Sequence, residues 1–253
     1  MNHHSRHTTL LHCAALAACA AAVMATASCG RRTQPASTAA VHIAPRDTTA
    51  PYDGIDISSH QGDIDWGKVT ADKSIRFVYI KATEGATYSS PHYGYNVTMA
   101  RRHGLLVGSY HYFTTTSSVS AQFRNFTNLA ALSSQDLIPM IDVEHRGNWS
   151  RNQLVDSVAA FARLVKEHYG VQPMIYSTMA FYNRWLAPSF NSYPLYIGRY
   201  NDQEPEISWN GSYTVWQFSQ SGIIPGIDAY VDLCHYRDGA WLDEIAMPPH
   251  PAI

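Results

Sequence analysis

The 253-residue sequence has little charge of either sign. Charged residues make up 15% of it, and 18 Lys and Arg stand against 20 Asp and Glu, for a net charge of −2. With no basic run, it lacks the electrostatic footprint of a nucleic-acid-binding protein. Cysteine is scarce, at four residues with no Cys-x-x-Cys spacing. The histidines closest to apolar strand-like runs, His60, His111, His145 and His235, show no His-x-x-x-His pairing, so no standard zinc motif is present. The absence of a Gly-x-Ser-x-Gly elbow argues against serine nucleophile chemistry. No internal repeat and no second domain are discernible. What the chain does have is aromatic residues, 16 Tyr and 6 Trp, enough for either a large aromatic core or a groove whose rings stack on sugars.

The N-terminal region reads as a leader rather than as part of the fold. Residues 10–27 form an Ala-rich apolar stretch behind Arg6, too short for a membrane span and typical of a secretory signal. Small residues lead directly into Cys29, the pattern of a bacterial lipoprotein cleavage site. The expectation is a signal peptide over 1–28 with Cys29 lipidated; plain cleavage after Ala27 is the alternative. Export and membrane anchoring at the cell envelope follow. Residues 29–51, rich in Thr, Ala, Ser and Pro, read as a flexible linker. The folded domain is expected over 52–247, with a short tail over 248–253.

Within that domain, apolar runs of strand length alternate with helical patterns. The runs are 54–58, 77–82, 105–113, 137–144, 174–177, 195–199, 213–217 and 229–233. Val119, Phe123, Phe126 and Ala130 keep helical spacing, as do Leu154, Val158, Phe161 and Val165. Ser150 followed three residues later by Gln153 predicts a capping box at the start of the second of these helices. Strand–helix alternation implies an α/β fold with parallel strands, and eight strands would close a barrel. The alternation fails late, because 200–212 and 219–228 are short and rich in Pro, Gly and Asn. The last strands are therefore joined by loops or turns, giving an irregular barrel.

Polar residues gather at the C-terminal ends of these runs: Asp56, then Lys81 and Glu84, Tyr110, Asp142 and Glu144, Tyr176, Arg199 and Tyr200, Trp216 and Gln217, and Asp232. That end carries the active site in barrels of this kind. Asp142 and Glu144 stand two residues apart, on one side of an extended chain and roughly 7 Å apart along it. Burial and like charge would raise the pKa of one of them. A protonated acid beside an ionised one suits glycosidic cleavage. Alone, the pair could equally be a solvated strand end. Asp56 and Asp232 add two acids on strands that become neighbours in a closed barrel. Four acids at one mouth need a cationic transition state or a metal to justify them.

Five segments, in order, extend this picture: Asp-Gly-Ile-Asp-Ile-Ser-Ser-His-Gln-Gly-Asp-Ile-Asp-Trp (53–66), Phe-Val-Tyr-Ile-Lys-Ala-Thr-Glu-Gly (77–85), Gly-Ser-Tyr-His-Tyr-Phe (108–113), Pro-Met-Ile-Asp-Val-Glu (139–144) and Trp-Gln-Phe-Ser (216–219). Together they resemble glycoside hydrolase family 25, the Chalaropsis-type lysozymes or N-acetylmuramidases. The resemblance implies a TIM-like (β/α)5(β)3 barrel that cuts the β-1,4 bond between N-acetylmuramic acid and N-acetylglucosamine in peptidoglycan glycan strands, with no cofactor and no metal. By motif, Glu144 matches the general acid, and Asp142, Asp56 and Asp232 the other active-site carboxylates. Tyr110, Trp216, Gln217, Glu84 and Tyr176 are the expected substrate-binding residues. Cys234 stands where the family commonly has Asn. Covalent, inverting and acetamido-assisted routes all remain open on spacing alone, and the resemblance favours the last, with Asp142 orienting the amide. A non-catalytic wall-binding module and a chitinase-like glycosidase are the competing functions.

Overall fold

The computed structural model describes residues 51–237 and 242–249. The expected leader, Cys29 and almost all of the linker lie outside the described residues, as does 250–253 of the tail. The strands are Gly54–Ile57 (β1), Phe77–Glu84 (β2), Tyr88–Ser89 (β3), Leu106–Tyr112 (β4), Met140–Asp142 (β5), Met174–Thr178 (β6), Leu195–Gly198 (β7), Val215–Gly222 (β8) and Val231–Tyr236 (β9). The helices are Trp66–Val69 (α1), Tyr93–Arg102 (α2), Val119–Leu129 (α3), Arg151–Tyr169 (α4) and Met179–Phe181 (α5), the last running into a π-helical turn at Tyr182–Leu186.

Seven strands pair in parallel in the order β1, β2, β4, β5, β6, β7, β8. Strand β9 closes the barrel by pairing antiparallel with both β8 and β1. The two-residue β3 adds to β2 outside the ring. Each crossover from β1 to β7 carries a helix, while β7, β8 and β9 follow one another without one. This is the expected (β/α)5(β)3 barrel. The missing late helices have a local cause: 223–230 is long enough only for a hairpin, which turns β9 antiparallel.

Helix α4 shows how closely local chemistry sets the elements. Ser150 and Gln153 form the expected capping box, and Gly170 ends the helix in the left-handed region at φ 74°. Its buried face, Leu154, Val158, Phe161, Ala162, Val165 and Tyr169, packs on the outside of the barrel. Full burial of such side chains contributes roughly 1.5–3 kcal/mol each. Helix α3 differs from its apolar spacing in one respect, since Gln122 is fully buried beside Phe126. The Gln122 amide holds the 114–117 loop through Thr114 and Ser117 and meets His111 Nε2 at 3.2 Å.

Strand alternation divides the core in two. Residues facing outward, such as Val78, Ile80, Val107, Ile141, Ile175 and Ile197, pack against the helices. Those facing inward fill the barrel: Phe77, Tyr79, Tyr110, Met140, Met174, Tyr176, Tyr196, Val215, Cys234 and Tyr236. Much of the tyrosine content is therefore barrel core. The rings meet edge-on, with Tyr79 and Tyr196 centroids 6.0 Å apart and Tyr176 and Tyr196 5.5 Å apart. Leu242 and Ile245 join this interior cluster, and Ile138 N–H donates to Ile245 O at 2.8 Å, so the C-terminal segment packs against the chain entering β5.

Strand β5 is shorter than the apolar run 137–144. Pro139 has no N–H to give a ladder, and Leu137, whose N–H donates to Val107 O at 3.1 Å, also bridges Ala246 of the C-terminal segment. Past the strand the chain stays extended, because Val143 N–H donates to Tyr176 O at 3.0 Å. Val143 is fully buried in the outer core, which turns its neighbours Asp142 and Glu144 to the mouth side.

Gly108 is required by close approach: a Cβ there would lie 2.3 Å from the Tyr79 ring. Gly108→Ala is expected to destabilise the domain by roughly 1–3 kcal/mol through overpacking. Gly94→Ala in α2, where a Cβ meets nothing within 4 Å, should be neutral or stabilising by up to about 1 kcal/mol. Urea denaturation of the two variants separates these outcomes.

Candidate active site

The inward-facing set ends, at the C-terminal mouth of the parallel strands, in carboxylates. Asp56 follows Gly54 by one alternation on β1. Asp232 precedes Cys234 by one on β9, and because β9 is antiparallel the two acids are directly paired across the ladder. On the other side of the mouth lies Asp142, which is 6% exposed, with the half-buried Glu144 just beyond it. Tyr110 stands between the pairs. Burial raises its phenol well above the usual range, and the charges of all four acids, Asp56, Asp142, Asp232 and Glu144, add to that rise.

Within each pair the carboxyl groups are close enough to hydrogen-bond to each other. Burial is the main cause of a raised pKa at all four. Asp232 is pushed up to about 9, with the charge of Asp56 as the next cause. At Asp56 the rise is opposed by donors, for Tyr196 Oη and Gln217 Nε2 each donate to its Oδ2 at 2.8 Å. Asp142 is raised well above the carboxylate range by burial and by the charge of Glu144. Glu144 is raised by burial too, but His145 and the hydrogen bond from Asp142 oppose it. Burial and like charge thus favour proton retention within each pair, acting on Asp232 beside Asp56 and on Asp142 beside Glu144. The Oδ1 of Asp142 is buried without a partner, an unmet acceptor that a donor on a bound molecule would satisfy.

Of the other expected site residues, Gln217 and Tyr176 join this network. Gln217 Oε1 accepts from Tyr176 Oη at 2.7 Å and from Tyr200 Oη at 2.9 Å. Glu84 lies at the rim, paired with Lys81 Nζ at 2.7 Å. The Lys81 ammonium sits over the Tyr112 ring, 4.7 Å from its centroid, and its charge favours the ionised forms of Asp142 and Glu144. Trp216 is not brought into the acid cluster. Alternation turns it away from Gln217, onto the outer core, where its Nε1 donates to Arg199 O at 2.8 Å. Tyr196 was not singled out by sequence, because a Tyr alternating with Leu195 and Ile197 reads as core. His111 faces outward; burial lowers its pKa to about 4, and its Nδ1 meets Thr83 Oγ1 at 2.7 Å. Among the described residues no three His, Cys, Asp or Glu side chains are arranged to hold a metal ion.

Two carboxyl pairs in a tyrosine-lined mouth, all four acids raised by burial, make a site suited to acid-assisted cleavage through a cationic transition state. The sequence profile described as Glycosyl hydrolases family 25 matches residues 55–227. The chain belongs to glycosyl hydrolase family 25. It is 38% identical over 186 residues to YegX of Escherichia coli K12, covering 71% of this chain and 67% of that protein. It is 34% identical over 186 residues to the autolytic lysozyme of Clostridium acetobutylicum, covering 74% of this chain and 56% of that one. A family 25 glycosyl hydrolase from Bacillus anthracis superposes with a TM-score of 0.68 at 26% identity, over 78% of this chain and 94% of that one. This family 25 member is thus a glycoside hydrolase, and its matched segment contains Asp56, Asp142 and Glu144 but ends before Asp232.

The raised pKa of Asp232 has a consequence for stability. Below its ordinary value near 3.8 the folded and unfolded chains both hold the proton; between there and about 9 the folded chain holds it more tightly. The folded state binds more protons in that window, so this contribution to stability falls as pH rises. Asp232→Asn removes the effect. Its melting temperature, measured by calorimetry, should gain on the parent's progressively from pH 4 to pH 9; a difference independent of pH contradicts the assignment.

Proposed function

We propose that this hydrolase is an exported muramidase that cleaves the β-1,4 bond between N-acetylmuramic acid and N-acetylglucosamine in peptidoglycan, with Glu144 as proton donor. The observation that carries the reading is the Asp142–Glu144 pair at the mouth, where burial raises both carboxyls and Asp56 lies near enough for its charge to add to the rise. The name of the Clostridium acetobutylicum relative, an autolytic lysozyme, agrees with the substrate.

In the free protein the proton is assigned to the deeper Asp142, which burial and the charge of Glu144 raise above the carboxylate range. A substrate acetamido N–H placed against Asp142 would meet its unpartnered Oδ1. A donor at that oxygen favours the ionised form, which moves the proton to Glu144, the more exposed acid. Glu144 then protonates the leaving O4 as the acetamido oxygen attacks C1 and the C1–O4 bond breaks. The resulting ring carries a positive charge facing Asp142 and Asp56. Water next gives its proton to the Glu144 carboxylate and adds to C1, reopening the ring and restoring the amide. Two displacements at C1 give net retention. Glu84 and Tyr110 border the glycan path. Asp232 acts by keeping its proton, so that Asp56 bears the charge.

Glu144→Gln should lower cleavage of purified peptidoglycan by at least 10²-fold while leaving the melting temperature close to the parent's. NMR of the first product should show the β-anomer. An α-anomeric first product, full activity in the Gln variant, or cleavage of chitin oligomers with peptidoglycan left intact would each overturn the reading.

Export and anchoring belong to the same proposal. The apolar stretch 10–27 ahead of Cys29 supports a lipoprotein leader, and the linker 29–51 would let the barrel reach the glycan from the membrane. Metabolic labelling with a fatty-acid probe should mark the parent, and Cys29→Ala should lose the label and leave the membrane fraction. Equal labelling of both would contradict lipidation at Cys29.

A further inference from the structure

Asp56 and Asp232 face each other across β1 and β9, and the donors around them favour one of the two as the charged member. Two donors converge on Asp56 Oδ2, the hydroxyl of Tyr196 and the amide Nε2 of Gln217, each at 2.8 Å. The other end of the Gln217 amide is also engaged. Its Oε1 already accepts Tyr176 Oη at 2.7 Å and Tyr200 Oη at 2.9 Å, and those hydroxyls stand 3.0 Å apart. A flipped amide would set its oxygen against the Asp56 carboxylate, so the orientation with Nε2 on Asp56 is the one that suits an ionised Asp56. Tyr196 is equally fixed, being fully buried with its ring edge-on to Tyr79 and Tyr176.

We propose that Tyr196 is a positioning residue for the hydrolysis, acting through Asp56: together with Gln217 it makes Asp56 the charged member of its pair and leaves the proton on Asp232. The role in hydrolysis rests on the muramidase reading above, whereas the effect on Asp56 does not. The groups facing Asp56 from the surrounding elements are Asp232 and Cys234 on β9, Tyr110 on β4, Asp142 on β5 with Glu144 beyond it, Tyr176 on β6, and Tyr196 on β7 with Tyr200 beyond it. Lys81 on β2 faces the opposite pair. Burial raises these phenols and the Cys234 thiol, so they stay neutral while the enzyme works. Removing the Tyr196 hydroxyl therefore takes one donor from Asp56 and one partner from the neutral Cys234 thiol, and changes no charge.

Tyr196→Phe deletes one oxygen and keeps the ring packing. Loss of a donor to the ionised form raises a carboxyl pKa. In the variant, the Asp56 carboxyl, followed by ¹³C NMR, should titrate about one pH unit higher than in the parent. The acid limb of kcat on peptidoglycan should move up by the same amount, with KM changed less than about two-fold. Tyr79→Phe is the control. It removes another buried hydroxyl from the same interior, one that donates to Ile138 O at 3.1 Å and touches no acid, and it should leave both curves in place. An unchanged Asp56 titration in Tyr196→Phe, or an equal shift in Tyr79→Phe, overturns the proposal. If the parent domain cleaves no peptidoglycan, the muramidase reading fails, and the NMR titration still decides whether Tyr196 sets the charge on Asp56.

Discussion

Four carboxyl groups packed at one barrel mouth cannot all be ionised, and the chemistry of the site depends on how they avoid it. Burial disfavours every charge there; Asp56 adds to the rise at Asp232 and Glu144 to that at Asp142, while Asp232 and Asp142 hydrogen-bond back and lower their partners. The four fall into two pairs, in each of which burial and like charge favour a retained proton. One pair is fixed by neutral donors, with Tyr196 and Gln217 holding Asp56 charged. The other is left responsive, because Asp142 has an oxygen without a partner. A substrate amide can therefore redistribute the proton of the second pair while the first supplies a steady negative charge. Electrostatic stabilisation by groups already in place needs no reorganisation during the reaction.

The barrel makes this economical. Alternation along each strand gives the interior every second residue, so the rows that place Met140 and Val215 in the core end in Asp142 and Gln217. Closure by an antiparallel β9 matters as much. It sets Asp232 in direct register with Asp56, a pairing that two acids at neighbouring parallel strand ends would reach only by side-chain reach. The tyrosines serve both purposes, as packing through their rings and as hydrogen-bond donors through their hydroxyls.

Much of this was legible in the sequence, for identifiable reasons. Apolar runs ending in acids marked the mouth, and Ser150 with Gln153 marked the start of α4. Other features depend on contacts that no local pattern encodes. Strand β5 is cut short because Pro139 and the C-terminal segment claim the chain before it. Tyr196 looks like any alternating core residue until Asp56, distant in sequence, is brought to its hydroxyl. Trp216 sits beside Gln217 in the chain, yet strand alternation sends it to the other face. Glu84 lies at the strand end as expected, but Lys81 binds it there after a bulge in the β2–β4 register.

The central claim, that two protons are held among four carboxyl groups, is open to direct observation. Neutron diffraction from crystals of the free domain grown in heavy water near pH 6 would locate the deuterons. The expected map has one deuteron between Asp56 and Asp232, bonded to Asp232, and one between Asp142 and Glu144, bonded to Asp142. Four deuterium-free carboxylates, or a deuteron bonded to Asp56, would contradict it.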